Sequence, residues 1–75
     1  MTLNELIAQE LRDKPANITD ATGRENHRRW DSFAQVQLVV ALEDAYNVKF
    51  SNAEIEAMTS VASIRDALKA KGVEA

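Results

Sequence analysis

The residues with the clearest chemical potential lie close together, between His27 and Ser32. This stretch reads HRRWDS and places the only histidine, two arginines and an aspartate just before a serine. A neighbouring serine and histidine suggest nucleophilic catalysis, but that chemistry needs a paired base that a third group orients. Nothing in the surrounding polar stretch supplies such a group. Conventional serine catalysis is therefore not predicted.

Other catalytic and metal-binding patterns do not occur in the sequence. It has no cysteine, which excludes thiol catalysis, disulfides and cysteine-ligated zinc. It has neither a glycine-rich phosphate loop nor a calcium-loop spacing, so no metal site is expected. Arg28 and Arg29 beside Trp30 could contact nucleic acid, but the net charge of −3 and the pI near 5.0 argue against a general affinity for it. A nucleic-acid-binding domain that uses these arginines is therefore the weakest of the candidate functions.

Length and composition bound the class of protein. The 75 residues predict one domain, residues 1–75, with a compact core, since so short a chain buries only about 60 to 65 per cent of its unfolded surface. Hydrophobic residues make up 45% and charged residues 28%, as in water-soluble globular proteins. No apolar run approaches the roughly 18 residues that cross a bilayer, and the first residues lack the basic start of a signal peptide. We therefore expect a cytoplasmic protein.

The turn-forming residues and the first capping signal favour helices. Two glycines and one proline leave few turns for hairpins, so an all-α fold is predicted. A first helix should follow the capping box Thr2-Leu3-Asn4-Glu5 and end near Arg12, before Pro15. The polar connection that follows is longer than most loops, and we expect Ile18 and Trp30 to anchor it in the core.

The second helix is predicted from about Ser32 to Tyr46 and carries the most apolar surface of the chain. That surface is wider than one packing stripe, so we expect the helix to touch neighbours on two sides. The sequence Ser32-Phe33-Ala34-Gln35 has the form of a capping box. Ser32 is therefore expected to be the N-cap of this helix.

Two further capping signals complete the predicted fold. Ser51-Asn52-Ala53-Glu54 begins a short third helix, and Thr59 and Ser60 begin a last helix that Gly72 ends. The expected architecture is a small four-helix bundle of three longer helices and one short third helix, with a long loop between the first and second helices.

Residues 30–50, WDSFAQVQLVVALEDAYNVKF, resemble the acyl carrier protein family. Members of that family carry an Asp-Ser-Leu signature at the start of their second helix, followed by an apolar-rich helix that ends in acidic residues and an aromatic. Asp31-Ser32-Phe33 stands where the signature would be, and Glu43, Asp44 and Tyr46 continue the pattern. The likeness extends over nearly the whole chain, as far as the stretch TSVASIRDAL, which is similar to the family's closing helix.

The resemblance implies a carrier and not an enzyme. Ser32 would be the attachment point of 4′-phosphopantetheine, transferred from coenzyme A by a phosphopantetheinyl transferase, and Asp31 would be its signature neighbour. The thiol of that group would hold an acyl or aminoacyl group as a thioester. The implied partners are the transferase and the enzymes that load and remove the acyl group, and we expect a monomer without nucleic acid or a membrane span.

The resemblance also implies a place for the acyl chain, because family members shelter it between the second and third helices. The residues that would border this cavity or the partner surface are Val36, Val40, Phe50, Ile55 and Met58. The alternative is that all five are ordinary core residues. The residues expected to contact partners or the acyl chain are Arg28, Arg29, Phe33, Val36, Gln37, Val40, Ile55 and Met58.

Three departures from the family pattern point to an uncommon partner. Phe33 replaces the signature leucine, and Ala34 and Gln37 stand where fatty-acid carriers typically have acidic residues. Arg28 and Arg29 add positive charge just before the signature. Because charge complementarity governs partner choice, we expect a carrier for a specialised lipid, polyketide or other secondary pathway, and not the carrier of housekeeping fatty acid biosynthesis.

The rival interpretation is a small helical protein–protein interaction module. In it, exposed apolar residues such as Phe33 and Val40 would dock a partner helix. Ser32 would then be a helix N-cap and would carry nothing. Modification of Ser32 with coenzyme A as donor distinguishes the two interpretations.

Overall fold

The chain folds into four α-helices joined by three connections of very different length. The structure, a computed structural model, describes residues 1–75. The helices are α1 (Leu3–Leu11), α2 (Ser32–Tyr46), α3 (Asn52–Ala57) and α4 (Val61–Ala70), and a 3₁₀ turn spans Pro15–Asn17. The predicted all-α bundle, with a short third helix and a long loop before the second, is confirmed. None of these helices has the length and apolar character to cross a membrane.

Side-chain caps begin three helices where the sequence predicted them. The Thr2 hydroxyl accepts from the Glu5 amide at 3.1 Å, and the Glu5 carboxylate accepts from the Thr2 amide at 2.7 Å. The second of these bonds lowers the pKa of the Glu5 carboxyl. Ser51 forms the same kind of capping box at α3, and Ser60, not Thr59, forms one at α4.

The start of α2 differs from the prediction. Asp31 is the N-cap, and its carboxylate accepts from the Ala34 amide at 2.9 Å. Ser32 is the first helical residue, and Gln35 is buried, so the predicted capping box of these two residues is wrong. The reason is that Asp31 has the extended backbone that a cap requires, and its charged carboxylate is a stronger acceptor for the first-turn amides than a neutral hydroxyl.

The core is a single cluster of 16 buried apolar residues. The members are Leu3, Leu6, Ile7, Ala8, Leu11, Ile18, Trp30, Ala34, Leu38, Val39, Leu42, Phe50, Met58, Val61, Ile64 and Leu68. Ile18 and Trp30 are only 3% and 2% exposed, which confirms them as the anchors of the long loop. α3 contributes no buried residue of its own, although Ile55 packs against the cluster.

A buried glutamine connects α2 to Trp30 and to the end of α3. Gln35 Oε1 accepts from Trp30 Nε1 at 2.7 Å, and Gln35 Nε2 donates to the carbonyls of Ile55 and Met58, each at 2.9 Å. Both hydrogens and the oxygen of the amide therefore have partners, as burial requires. These bonds fix the C-terminal end of α3 against the first turn of α2.

The long loop is attached to the link between α3 and α4, residues 58–60. Gly23 forms an isolated antiparallel bridge with Ser60, and the Arg24 amide donates to the Thr59 carbonyl at 3.0 Å. A Cβ atom at Gly23 would lie 2.4 Å from the Thr59 carbonyl oxygen, so this close approach requires glycine. The loop segment at Arg24 is therefore held in place by its backbone.

A second attachment joins the same loop to the end of α1. His27 Nε2 lies 2.8 Å from Asp13 Oδ2, and these side chains are only 12% and 21% exposed. Asp13 Oδ1 accepts from Asn17 Nδ2 at 2.8 Å and from the Lys14 amide at 2.7 Å. Hydrogen bonds from Asn17, then His27, then the Lys14 amide lower the pKa of Asp13 from 3.8 to about 2.

Replacing Gln35 by leucine is expected to lower the free energy of unfolding by about 2 kcal/mol or more, because each buried polar group left without a partner costs roughly 1–3 kcal/mol. The matched control is Gln37→Leu, which changes an exposed glutamine of the same helix. We expect the control to shift the free energy by less than about 0.5 kcal/mol. Urea unfolding followed by circular dichroism measures both, and equal losses would contradict the role given to Gln35.

Replacing Asp13 by asparagine is expected to destabilise the protein at pH 6 and to have little effect at pH 2. The folded-state pKa of Asp13 lies below its ordinary value of 3.8, so its carboxylate stabilises the fold above about pH 4. That contribution is lost as the pH falls toward 2, where wild type and variant should converge. Thermal unfolding between pH 6 and pH 2 tests this, with Glu56→Gln as the control at an exposed carboxylate. A constant difference in Tm across this range would show that the carboxylate charge is not responsible.

Candidate functional site

Ser32 lies on the surface at the first residue of the 15-residue helix α2. Its Oγ accepts a hydrogen bond from Arg24 Nη2 at 3.2 Å. The amides of Ser32 and Phe33 occupy the first two helical positions, where a helix offers no backbone acceptor. The serine oxygen therefore stands beside a guanidinium group and at the positive end of the helix dipole.

The residue before the serine sets the geometry of this helix start. The Asp31 carboxylate binds the Ala34 amide, so it is directed toward the first turn. Trp30, immediately before it, is buried and bonded to Gln35. An exposed serine is thus preceded by one capping residue and one core residue, which together leave the helix start little freedom to move.

Arg28 and Arg29 line a cleft of about 510 Å³ between the end of α1 and the start of α2. Asp31, Phe33 and Gln37 also line it. The Arg29 guanidinium donates to a carbonyl at the C-terminus of α1, a favourable place for a cation. The structure therefore brings both predicted arginines together with Phe33 and Gln37.

The outer face of α2 carries an exposed apolar stripe formed by Phe33, Val36 and Val40. These side chains are 72%, 60% and 52% exposed, and their spacing of three and four residues places them on one side of the helix. We expected α2 to contact neighbours on two sides. That expectation is wrong for the side that carries this stripe, because the stripe is exposed to solvent. Gln37 is exposed beside the stripe, whereas Ala34 is buried and adds little to this surface.

The five residues expected at an acyl cavity or a partner surface fall into two groups. Val36 and Val40 belong to the exposed stripe, whereas Phe50 and Met58 belong to the core at 9% and 1% exposure. Ile55 is half-buried and packs against the core. The structure therefore does not place these five side chains around one common cavity.

His27 does not bond to the serine. Its Nε2 is bonded to Asp13, and its Nδ1 accepts from the Arg29 amide at 3.2 Å, so both ring nitrogens have partners elsewhere. Nowhere in the structure do three or more histidine, cysteine, aspartate or glutamate side chains cluster so that they could hold a metal ion. The charged group at Ser32 is instead Arg24.

Sequence reasoning did not identify the contact of Arg24 or the role of Gln35. Arg24 is eight residues from Ser32, in a loop without periodicity, and its charge is the only local feature that favours a contact with an anion. Gln35 matched the last position of a capping box, which gave it a local role that the structure does not support. A polar residue among the apolar positions of α2 was the one signal of a buried hydrogen-bond partner.

Comparison with known proteins relates the chain to one group of proteins. It is 33% identical over 67 residues to the acyl carrier protein of Buchnera aphidicola subsp. Baizongia pistaciae (strain Bp), a match that covers 89% of this chain and 86% of that protein. The solution NMR structure of holo acyl carrier protein from Geobacter metallireducens matches with a TM-score of 0.81 and 28% identity, over 92% of this chain and 79% of that one. No protein-family model matches the chain.

Proposed function

Because this chain belongs to the acyl carrier protein family, we propose that Ser32 is the residue to which its 4′-phosphopantetheine is attached. Acyl carrier proteins carry this group covalently and act with acyl-handling enzymes without being catalysts themselves, so the chain is a carrier and not an enzyme. The observation that carries the proposal is the exposed Ser32 Oγ at the first residue of α2, next to Asp31 in the signature stretch.

The surroundings of Ser32 fit a phosphodiester. The first-turn amides of α2 and the Arg24 guanidinium supply hydrogen-bond donors and positive charge around Oγ. The adjacent carboxylate, that of Asp31, is bonded to the Ala34 amide. The attached group supplies the thiol that holds the acyl group as a thioester, and the chain has no cysteine of its own.

The interpretation of Ser32 as only a helix cap loses its main support. Asp31 accepts the amide hydrogen bond that a cap provides, and the Ser32 hydroxyl takes no part in it. The exposed stripe of Phe33, Val36 and Val40, which favoured an interaction module, fits a carrier equally well, because a carrier must dock on its enzymes.

We further propose that the chain serves a specialised lipid, polyketide or other secondary pathway. The stripe and the neighbouring Gln37 are uncharged, Arg28 and Arg29 lie at the N-terminal end of this face, and the exposed carboxylate of Asp44 lies near its C-terminal end. A basic enzyme surface would therefore meet few acidic side chains on this face. Charge complementarity favours enzymes whose docking surface is apolar or acidic. We also propose a cytoplasmic monomer, one domain over residues 1–75, that a phosphopantetheinyl transferase modifies.

Ser32→Ala is expected to abolish modification. When incubated with coenzyme A and a promiscuous phosphopantetheinyl transferase, the wild type should gain the mass of one phosphopantetheine and the variant none. Ser51→Ala, which removes a capping serine at α3, is the matched control and should still be modified. Ser32→Ala should keep its stability, since Asp31 caps α2. No gain across several transferases, or a gain that persists in Ser32→Ala, would contradict the assignment.

Housekeeping enzymes are expected to accept the loaded protein poorly. With a purified ketosynthase and a malonyl transferase of fatty acid synthesis, we expect kcat/KM at least about tenfold below that of their normal carrier, which corresponds to about 1.4 kcal/mol. Gln37→Glu, which puts a carboxylate on the exposed face of α2, should recover part of the loss. If the wild type were as good a substrate as the normal carrier, the specialised role would be wrong.

A further inference from the structure

We propose that Arg24 is a positioning residue that binds the phosphate of the group attached to Ser32 and so sets the side from which the arm leaves the protein. This inference rests on the proposed function and names a residue that acts at the same site. Its basis is the 3.2 Å hydrogen bond from Arg24 Nη2 to Ser32 Oγ.

Attachment changes the partner of Arg24 from a hydroxyl to an anion. In the transfer, Ser32 Oγ forms a bond to the phosphorus that bears the pantetheine, and the pyrophosphate P–O bond of coenzyme A breaks. Adenosine 3′,5′-bisphosphate is the leaving group, and the hydroxyl proton is released. Ser32 Oγ then becomes an ester oxygen, and the single negative charge of the phosphodiester is shared by two non-bridging oxygens on the phosphorus bonded to it. A guanidinium that already reaches Oγ can reach these oxygens, and its planar donors match phosphate geometry.

The guanidinium of Arg24 is free to take this role. The protein has two ion pairs, Arg65 with Asp20 and Lys71 with Glu54, besides the His27–Asp13 hydrogen bond, and none of these contacts involves Arg24. Its charge is therefore not neutralised by a carboxylate. Arg29, by comparison, is bonded to a carbonyl at the end of α1.

The backbone at Arg24 is fixed independently of its side chain. Its amide is bonded to the Thr59 carbonyl, and the preceding Gly23 pairs with Ser60. The Gly23 amide donates to Asn26 Oδ1 at 2.8 Å, which closes the turn around it. The guanidinium therefore approaches Ser32 from a rigid base on the link between α3 and α4.

The direction of this approach follows from the positions of two residues on α2. Ser32 and Gln35 are three residues apart and lie on neighbouring parts of the helix surface, and Gln35 is bonded to Met58 in the α3–α4 link. Arg24 comes from that same side. Arg28 lines the cleft on the side of Phe33 and Gln37, and Arg24 does not line that cleft. A phosphate bound by Arg24 is thus drawn toward the α3–α4 link and away from the cleft.

The experiment compares modified and unmodified forms of the wild type, Arg24→Ala, Arg24→Lys and the control Arg28→Ala, each checked for complete loading by intact mass. The first readout is the ³¹P resonance of the phosphodiester. We expect Arg24→Ala to shift it and Arg28→Ala to leave it near the wild-type position, with Arg24→Lys between them because lysine keeps the charge but loses the planar donors.

The second readout is the change in Tm on modification. Modification should raise Tm by at least about 4 °C less in Arg24→Ala than in the wild type or in Arg28→Ala. A purely structural role for Arg24 would lower Tm equally in both forms and leave the ³¹P resonance in place, which would overturn the proposal. If the wild type gained no phosphopantetheine, the proposed function would fail and this inference with it. Loading with equal ³¹P positions in Arg24→Ala and Arg28→Ala would overturn the Arg24 inference alone.

Discussion

The buried amide of Gln35 is the interaction on which the arrangement of the other elements depends. α3 has only six residues and buries none of them, so packing alone does not fix its position. The two carbonyls that Gln35 binds lie at the C-terminal end of α3: that of Ile55, which also accepts from the Met58 amide, and that of Met58, which follows the helix. In a dry core such hydrogen bonds are strong, and an unpaired group is costly. One side chain thereby aligns α3, α2 and Trp30.

The same interaction determines how Ser32 is presented. Trp30 is buried, and its indole nitrogen is bonded to Gln35, so the chain enters α2 from a fixed point. Asp31 then caps the helix, and Ser32 follows it as an exposed first helical residue. A carrier needs a mobile arm, but the geometry at its base benefits from being constant, because every partner enzyme must recognise it. With the arm on Ser32, as proposed, the order of core residue, cap and exposed serine keeps its base constant.

The order of the helices and most of their caps followed from the sequence, because hydrophobic period and capping are local properties. The N-cap of α2 did not, since the local pattern fits both Ser32 and Asp31. Asp31 has the extended backbone and the stronger acceptor, and the bond of Gln35 to Trp30 removes that glutamine from a capping box with Ser32. The contact of Arg24 depends on the way the loop closes onto Thr59, which no spacing encodes. We expected the wide apolar surface of α2 to contact neighbours on two sides, but four short helices leave Val36 and Val40 of that surface exposed, together with Phe33.

The exposed stripe of Phe33, Val36 and Val40 also bears on the entropy of association. Its side chains stand on a helix whose opposite face, with Leu38, Val39 and Leu42, is locked in the core. Two of the three stripe residues are β-branched valines, which have few rotamers to lose. An enzyme that docks there meets a surface that is ordered before contact, so little of the binding free energy is used to immobilise the carrier. Short encounters can then be specific, as suits a protein that must leave each enzyme to reach the next.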